Sequence, residues 1–387
     1  MIPKNQTDQV LEDLLAAWGL NAGFVVDLYE SYRQDPQSVE EQWQLYFNAL
    51  ERGEPAPQFP ASQSSSAPES APAPVVSLPP ASAKESNGGG QVKSQPAVTP
   101  PPTQEDTLVP LRGGSALIVK NMEASRQVPT ATSYRTMPVK LLEENRRLIN
   151  EHFKVAGRGK ISFTHLIGWA VVQALKTNAR INHSFAVVDE KPHRVEHPHI
   201  NLGVAVDLEK RDGTRTLLVP NIRSVDQLNF AEFVDAFNLT IRRARTGKLQ
   251  PEDFQGTTIS LTNPGTVGTT SSVPRLMPGQ GAIIATGAID YPAENRAMAQ
   301  EILSQLGISR RMTISCTYDH RIVQGAESGQ FLAEVEALMK GKDDFYDKIF
   351  SDLNLPYRPV YWMPDYNPGT LGGGGGNLQA IAKQAKV

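Results

Sequence analysis

The sequence predicts an α/β chain: a two-layer sandwich with helices packed on one face of a mixed β-sheet, preceded by a small helical segment and a disordered linker. Three observations carry this. From about 107 to 355, stretches alternating with period two are interspersed with stretches of helical spacing, and Asp212-Gly213 marks a hairpin between two of the strands. Ahead of that region apolar periodicity vanishes, and twelve of the 29 prolines fall between 55 and 105. The first 50 residues have a pattern of their own, with eight acidic and two basic side chains. The resulting division is a helical segment 1–52, a Pro/Ala/Ser-rich linker 53–106, a core 107–355, and an aromatic strip with a Gly-rich tail 356–387.

In chain order, Val10, Leu11, Leu14, Leu15 and Trp18 mark a first amphipathic helix. Phe24, Val25, Leu28, Tyr29 and Tyr32 mark a second, and Val39, Trp43, Tyr46, Phe47 and Leu50 a third. Asp35-Pro36 and Ser38 separate the last two with turn and cap chemistry. So many aromatics exceed what so small a unit buries alone, which favours a docking surface over a self-contained bundle.

In the core, Pro129 to Met137 reads as an extended strand, and Pro138 as the opening of a helix carrying Val139, Leu142, Leu148 and Ile149. Phe163 to Asn178 reads as a helix with His165 beside its apolar face. His199 to Leu208 and Thr216 to Ile222 read as strands, and Leu228 to Gly247 as a long helix. Thr257 to Thr262, Ala282 to Ile289 and Met312 to Tyr318 complete the strands. In the last of these, Met312, Ile314, Cys316 and Tyr318 alternate with Arg311, Thr313, Ser315 and Thr317, so His320 is expected to continue the inward series. Gly325 then allows a turn into a helix bearing Phe331, Val335 and Leu338.

Composition narrows the function. With 387 residues, 40% hydrophobic and a net charge of -3, the chain has room for a large core and no electrostatic footprint for nucleic acid. One cysteine, Cys316, excludes an intrachain disulfide and a cysteine-rich metal site, and fits a reducing cytoplasm. No run of about 18 apolar residues suggests a membrane span. His193, His197 and His199 lie in a Pro-interrupted loop, and no metal is expected there. Lys210, Arg211 and Arg215 flank a hairpin as solvated charges, or meet phosphates. Arg242, Arg243 and Arg245 suit a helix C-terminus.

A histidine at a strand-to-helix junction suits proton transfer, although a His beside an Asp also serves as a structural hydrogen-bonded group. Thr262, before Asn263-Pro264-Gly265, reads either as a hydroxyl donor or as ordinary turn chemistry. The wording decides between these. Asp319-His320-Arg321 followed by Gly325 resembles the Asp-His-Arg-x-x-x-Gly signature of the acyltransferase (E2) cores of 2-oxoacid dehydrogenase complexes and of chloramphenicol acetyltransferase. Gly256-Thr257-Thr258-Ile259-Ser260-Leu261-Thr262-Asn263-Pro264-Gly265 resembles that family's second active-site strand and turn.

The resemblance implies a chloramphenicol acetyltransferase-like fold, His320 as general base and Thr262 as oxyanion donor. Gln324 stands where most E2 chains carry an aspartate, bringing hydrogen bonds but no charge. Ser272, Arg275 and Gly281 match the segment near the family's coenzyme A channel. Coenzyme A and a dihydrolipoyl group are then the substrates, with a lipoyl domain supplied by another E2 chain, since none is visible here.

Phe24 to Phe47 resembles the N-terminal segment of 2-oxoglutarate dehydrogenase E1 chains, a segment used to attach to partners. Together these match the lipoyl-free succinyltransferase part of fused actinobacterial-type 2-oxoglutarate dehydrogenases. Further implications are a homotrimer, and partnership with E1 (fused or separate) and with E3 dihydrolipoyl dehydrogenase. Thiamine diphosphate and Mg belong only to an E1 region or partner. No Gly-Asp-Gly motif of that kind precedes Val387, so the chain reads as a fragment or half of a split enzyme. The rival reading is a non-catalytic E2-like module that organises E1. The aromatic strip Phe345 to Tyr366, ahead of the glycine run 372–376, reads either as the core's edge or, through Tyr361 and Trp362, as an E1 anchor.

Overall fold

The computed structural model describes residues 21–54, 114–209, 215–277 and 279–361, with positions 10, 13, 14, 17, 18, 57 and 110 in addition. The expectations for the linker beyond Glu54, for Lys210, Arg211 and the Asp212-Gly213 turn, and for Trp362, Tyr366 and the glycine run fall outside these residues.

Val10, Leu14 and Trp18 are helical and buried. Two helices follow, α1 (Ala22–Gln34) and α2 (Glu41–Glu51), divided where the Asp35 carboxylate accepts the Gln37 N–H at 3.0 Å and Pro36 starts a short turn. Helix α3 (Gly114–Ser125) leads into strand β1 (Thr130–Pro138), then α4 (Lys140–Val155) and α5 (Phe163–Thr177). Pro138 ends the strand and does not open the helix, because an edge position leaves its missing N–H unneeded in the ladder. Strands β2 (Ser184–Val188) and β3 (Lys191–Val195) form a hairpin, so His193 sits in a strand instead of a loop.

Next come β4 (Leu202–Val204), β5 (Val206–Glu209), β6 (Arg215–Leu218) and β7 (Asn221–Ile222). The two long strands expected here are each split between sheets. The first breaks at Ala205, whose N–H goes to Leu261 O, and the second at Val219-Pro220; Val206 and Leu218 thereby turn toward the N-terminal helices. Arg215 is held by Asp207 and Glu209, a solvated cluster.

Helix α6 (Phe230–Thr246) begins with reciprocal bonds between Asn229 and Glu232 and ends at Gly247, φ 69°, the stop expected from the sequence. Strands β8 (Ile259–Thr262) and β9 (Ala282–Thr286), the short α7 (Gln300–Gln305), β10 (Arg311–Asp319), α8 (Gly325–Met339) and α9 (Phe345–Asp352) follow.

The main sheet runs β1-β10-β9-β8-β4-β7, with β9, β8 and β4 parallel to one another and the other pairs antiparallel. Its register sorts side chains by face. Met312, Ile314, Cys316 and Tyr318 join Ala282, Ile284, Ile259 and Leu261 in the main core, together with residues of α5, α6 and α8. The opposite face is rich in hydroxyls. Thr132 bonds Thr317 at 2.8 Å, Thr136 bonds Thr313 at 2.9 Å, and Ser315 donates to Ser272 O at 2.7 Å from the segment laid across it. This is the two-layer mixed sandwich expected. Cys316 is fully buried, and burial pushes its thiol up to about 12. Among the described residues no helix is long and apolar enough to cross a membrane.

Two expectations about packing change. Phe345, Tyr346 and Phe350 belong to the main core, so most of the described aromatic strip is internal packing. Beyond α9 the chain is clipped to α4, where buried Asn145 bonds both N–H (2.8 Å) and C=O (2.9 Å) of Val360. Tyr361 bonds Asp347 at 2.6 Å with its ring half exposed. The N-terminal aromatics pack against the chain's own core, on Val206, Leu218, Ala244, Leu249 and Phe254.

His165 is structural, as expected. Its Nδ1 accepts the Ser162 N–H at 3.2 Å while Ser162 Oγ accepts the His165 N–H at 3.1 Å, which caps α5. Burial pulls its imidazole down to about 4, against a hydrogen bond to Asn238 that raises it. Because the unfolded chain binds this proton more readily, the stabilisation is complete above about pH 6.5 and is lost as pH falls toward 4, in all about 3 kcal/mol. A glutamine here keeps the cap without titrating. The thermal midpoint of His165→Gln is therefore expected to fall less between pH 7 and 4.5 than that of the wild type, and parallel curves would assign the acid sensitivity elsewhere.

Candidate active site

Strand β10 delivers Asp319 into the interior, 2% exposed, and the chain turns at once. The N–H groups of Ile322 and Val323 both reach back to Asp319 O. Arg321 grips the Asp319 carboxylate as a fork, Nε to Oδ1 at 2.9 Å and Nη2 to Oδ2 at 2.6 Å, and its own N–H adds a third bond to Oδ1. The same guanidinium lies 3.7 Å from the centroid of the Phe185 ring of the β2–β3 hairpin. His320 is the residue this arrangement displays. Its N–H is tied to Pro129 O at 2.9 Å and its ring is exposed, 5.5 Å from that of Tyr318. The inward orientation expected for His320 is thus corrected: alternation stops when the strand stops, one residue earlier.

Gln324 sits exposed just before α8, and its N–H is bonded to Glu327 Oε2 at 2.8 Å. Glu327 also pairs with Arg180 at 2.8 Å. The position four residues after His320 therefore opens the helix, and the carboxylate nearest it in the chain is already engaged.

Thr262 is the last residue of β8, half-buried. The turn after it is fixed on two sides. Asn263 Nδ2 donates to Thr164 Oγ1 at 2.9 Å, and Gly265 abuts the backbone of Gly287 so closely that a Cβ would lie 2.3 Å from its carbonyl. The glycine serves the chain's own packing.

The register shows how the two candidate residues relate. Thr262 pairs with Ala285, and Ala285 with Ser315. Strand β10 runs against β8 and β9, so His320 lies five positions beyond Ser315, toward the opposite end of the sheet. At about 3.4 Å per residue that is about 17 Å along the strands, with two strand spacings across. Within one chain the imidazole and the hydroxyl do not meet.

Near the Thr262 end lies a cavity of about 760 Å³, lined by α4, Phe163 and the residues leading into β10. Lys140, Arg147 and Arg310 in its wall are paired with glutamates. Arg146, Lys154 and Lys160 form no ion pair among the described residues. Arg146 stacks on Phe163 at 4.2 Å and leaves a buried Nε without a partner. Little in the residue pattern pointed to this cluster, because cations interleaved with glutamates on an amphipathic helix read as a solvated face.

The residues expected beside coenzyme A are dispersed. Arg275 is exposed, Ser272 contributes its carbonyl to Ser315, and Gly281 is buried with its missing side chain facing His183 O, where a Cβ would lie at 1.7 Å. The three neighbouring histidines have separate partners: His193 with Lys191 O, His197 with Ser184 and His199 with Asp226. Among the described residues no cluster of three or more metal-ligating side chains occurs.

Comparison with known proteins gives this arrangement a family. Residues 103–345 match the profile of the 2-oxoacid dehydrogenases acyltransferase (catalytic domain), and residues 16–54 that of the 2-oxoglutarate dehydrogenase N-terminus. A multifunctional 2-oxoglutarate metabolism enzyme of Mycolicibacterium vanbaalenii is 44% identical over 378 residues, covering 92% of this chain and 30% of that protein. The chain thus spans about a third of that relative's length. Among solved structures, a probable dihydrolipoamide acetyltransferase from Listeria monocytogenes superposes with a TM-score of 0.53 at 24% identity, covering 62% of this chain and 98% of that one. The cubic core of the pyruvate dehydrogenase multienzyme complex gives 0.52 at 25%, covering 62% and 95%. The fold with its motif-bearing strand ends and the match over most of the chain agree: this chain belongs to the 2-oxoacid dehydrogenase acyltransferase family.

Proposed function

We propose that the chain transfers a succinyl group between a dihydrolipoyl thiol and coenzyme A, at sites where one copy supplies His320 and a neighbouring copy Thr262. The observation that carries this reading is the pairing of an exposed imidazole on a rigid turn at one end of the sheet with a strand-end hydroxyl at the other. Two copies in a closed ring bring opposite ends together, and a homotrimer is the smallest such ring with three equivalent sites.

The chemistry then follows from the side chains. The acceptor thiol, ordinarily of pKa ~8.5, is a weak nucleophile at neutral pH. His320 takes its proton as sulfur attacks the thioester carbonyl, and Thr262 Oγ–H donates to the oxyanion that forms. Collapse breaks the old C–S bond, and the imidazolium returns the proton to the departing sulfur. Gln324 orients without adding charge. The succinyl assignment rests on the naming of the relatives, since loss of CO2 from 2-oxoglutarate leaves a four-carbon acyl group.

Coenzyme A brings three phosphate groups, which suit Arg146, Lys154 and Lys160, without an ion pair among the described residues, in the cavity at the Thr262 end; Ser272, Arg275 and Gly281 lie outside that cavity and take no part in this reading. The lipoyl domain comes from another E2 chain. Thiamine diphosphate and Mg belong to an E1 region or partner, and E3 dihydrolipoyl dehydrogenase reoxidises the lipoyl group. The purified protein is expected to form succinyl-coenzyme A from succinyl-dihydrolipoamide. Arg146→Gln with Lys160→Gln is expected to raise KM for coenzyme A about tenfold or more, with kcat and KM for the lipoyl substrate little changed. A folded oligomer inactive on several acyl thioesters would leave the assembly-module reading in its place.

A further inference from the structure

The surface that receives the N-terminal helices is built as a receptor. Its floor is apolar: Val206 and Leu208 of β5, Leu218 of β6, Ala244 near the end of α6, then Leu249 and Phe254. Onto it the N-terminal unit lowers an aromatic cluster in which Trp18 and Phe24 meet Phe254 at 6.1 and 5.8 Å between centroids. Two side chains read the receptor's backbone. Asn21, 7% exposed, accepts the Val219 N–H at 2.7 Å and donates to Val219 O at 3.3 Å, while Trp43 Nε1 donates to Leu249 O at 2.9 Å. Charge adds a third layer. Residues 1–50 carry a net -6, eight acidic against two basic. At the rim Glu40 bonds Gln250 and lines a cleft of about 420 Å³ together with Arg242 and Lys248, while Arg243 beside them is paired with Asp253 at 3.1 Å.

An apolar centre, directional bonds to backbone and complementary charge at the edge are the anatomy of an interface between separate bodies. Covalent continuity adds little constraint. Residues 55 to 113, 59 in number, separate Glu54 from α3, a length whose extended limit is about 200 Å.

We propose that residues 10–54 are a docking module held on the core by their own contacts, and that a module from one copy of the chain can occupy the receptor of another. The receptor's partner class is thereby set: an acidic helical pair that offers an asparagine amide and a tryptophan N–H to backbone groups.

The experiment uses the full chain with a site-specific protease sequence inserted after Ser82, a donor dye at the N-terminus and an acceptor at the C-terminus. After cleavage, energy transfer persists if the module is held without the linker. A large excess of unlabelled cleaved protein then abolishes it as modules redistribute; exchange of whole protomers leaves each module on its own core and preserves the signal. Asn21→Ala with Trp43→Ala weakens retention about 100-fold or more. Glu40→Lys, which leaves the apolar centre intact, weakens it less and reduces its salt dependence. Loss of transfer on cutting the wild type, transfer that survives the chase, or full retention in the double variant would each overturn the proposal.

Discussion

His320→Ala is expected to lower acyl transfer about 10²- to 10⁴-fold with little change in either KM. The size follows from what the side chain would do, since without a base the attacking sulfur stays protonated over most of the neutral range. The selectivity for kcat follows from where it sits. The ring is exposed on a turn whose order comes from the Asp319–Arg321 fork, Phe185 and Pro129 O, so removing it gives up little beyond an edge contact with the Tyr318 ring. The thermal midpoint should stay close to that of the wild type. Steady-state kinetics beside a melting curve checks both, and an unchanged rate in the variant would remove His320 from the reaction.

The second large effect is a recovery. Thr262→Val, which deletes the hydroxyl and keeps the β-branched shape, is expected to cost about 10²- to 10³-fold in kcat. If His320 and Thr262 of one chain shared a site, mixing the two inactive proteins would restore nothing. With the residues some 17 Å apart along the strands of one chain, the proposed arrangement has each site draw on two copies. Random co-assembly of equal amounts of His320→Ala and Thr262→Val then regenerates about a quarter of the wild-type sites, because a working site needs the intact residue from each side. Mixing after reversible dissociation, with activity measured against the proportion of each variant, distinguishes a quarter from none.

How far this was legible in the sequence depends on which contacts had to be known. Residue parity along β10 gave both faces of the sheet, because a period of two is a local property. Asn229, Glu232 and Gly247 bracket α6 for the same reason, caps being read within a few residues. Parity misled one step beyond the strand's end, at His320. The β2–β3 hairpin was hidden by Pro192 within a strand and by a turn made of Asp189 and Glu190, both at positive φ where glycine or asparagine is usual. Least legible were the contacts of Asn21 and Trp43, whose partners lie about two hundred residues away in sequence. The opposition of Thr262 and His320 followed from the family resemblance and not from any local spacing, since it depends on the antiparallel run of β10 against its neighbours.

The placement of Cys316 bears on how an enzyme of this kind coexists with its substrates. Coenzyme A and reduced lipoyl groups are thiols, and oxidised lipoyl is a strained disulfide open to attack by any thiolate nearby. The chain's sole cysteine is sealed in the sheet with its ionisation pushed up to about 12 by burial, so the thiol form is the one it holds at neutral pH. The protein is consequently blind to the redox currency it would handle. Its thiol is expected to resist alkylating reagents while the chain is folded and to become reactive only on unfolding.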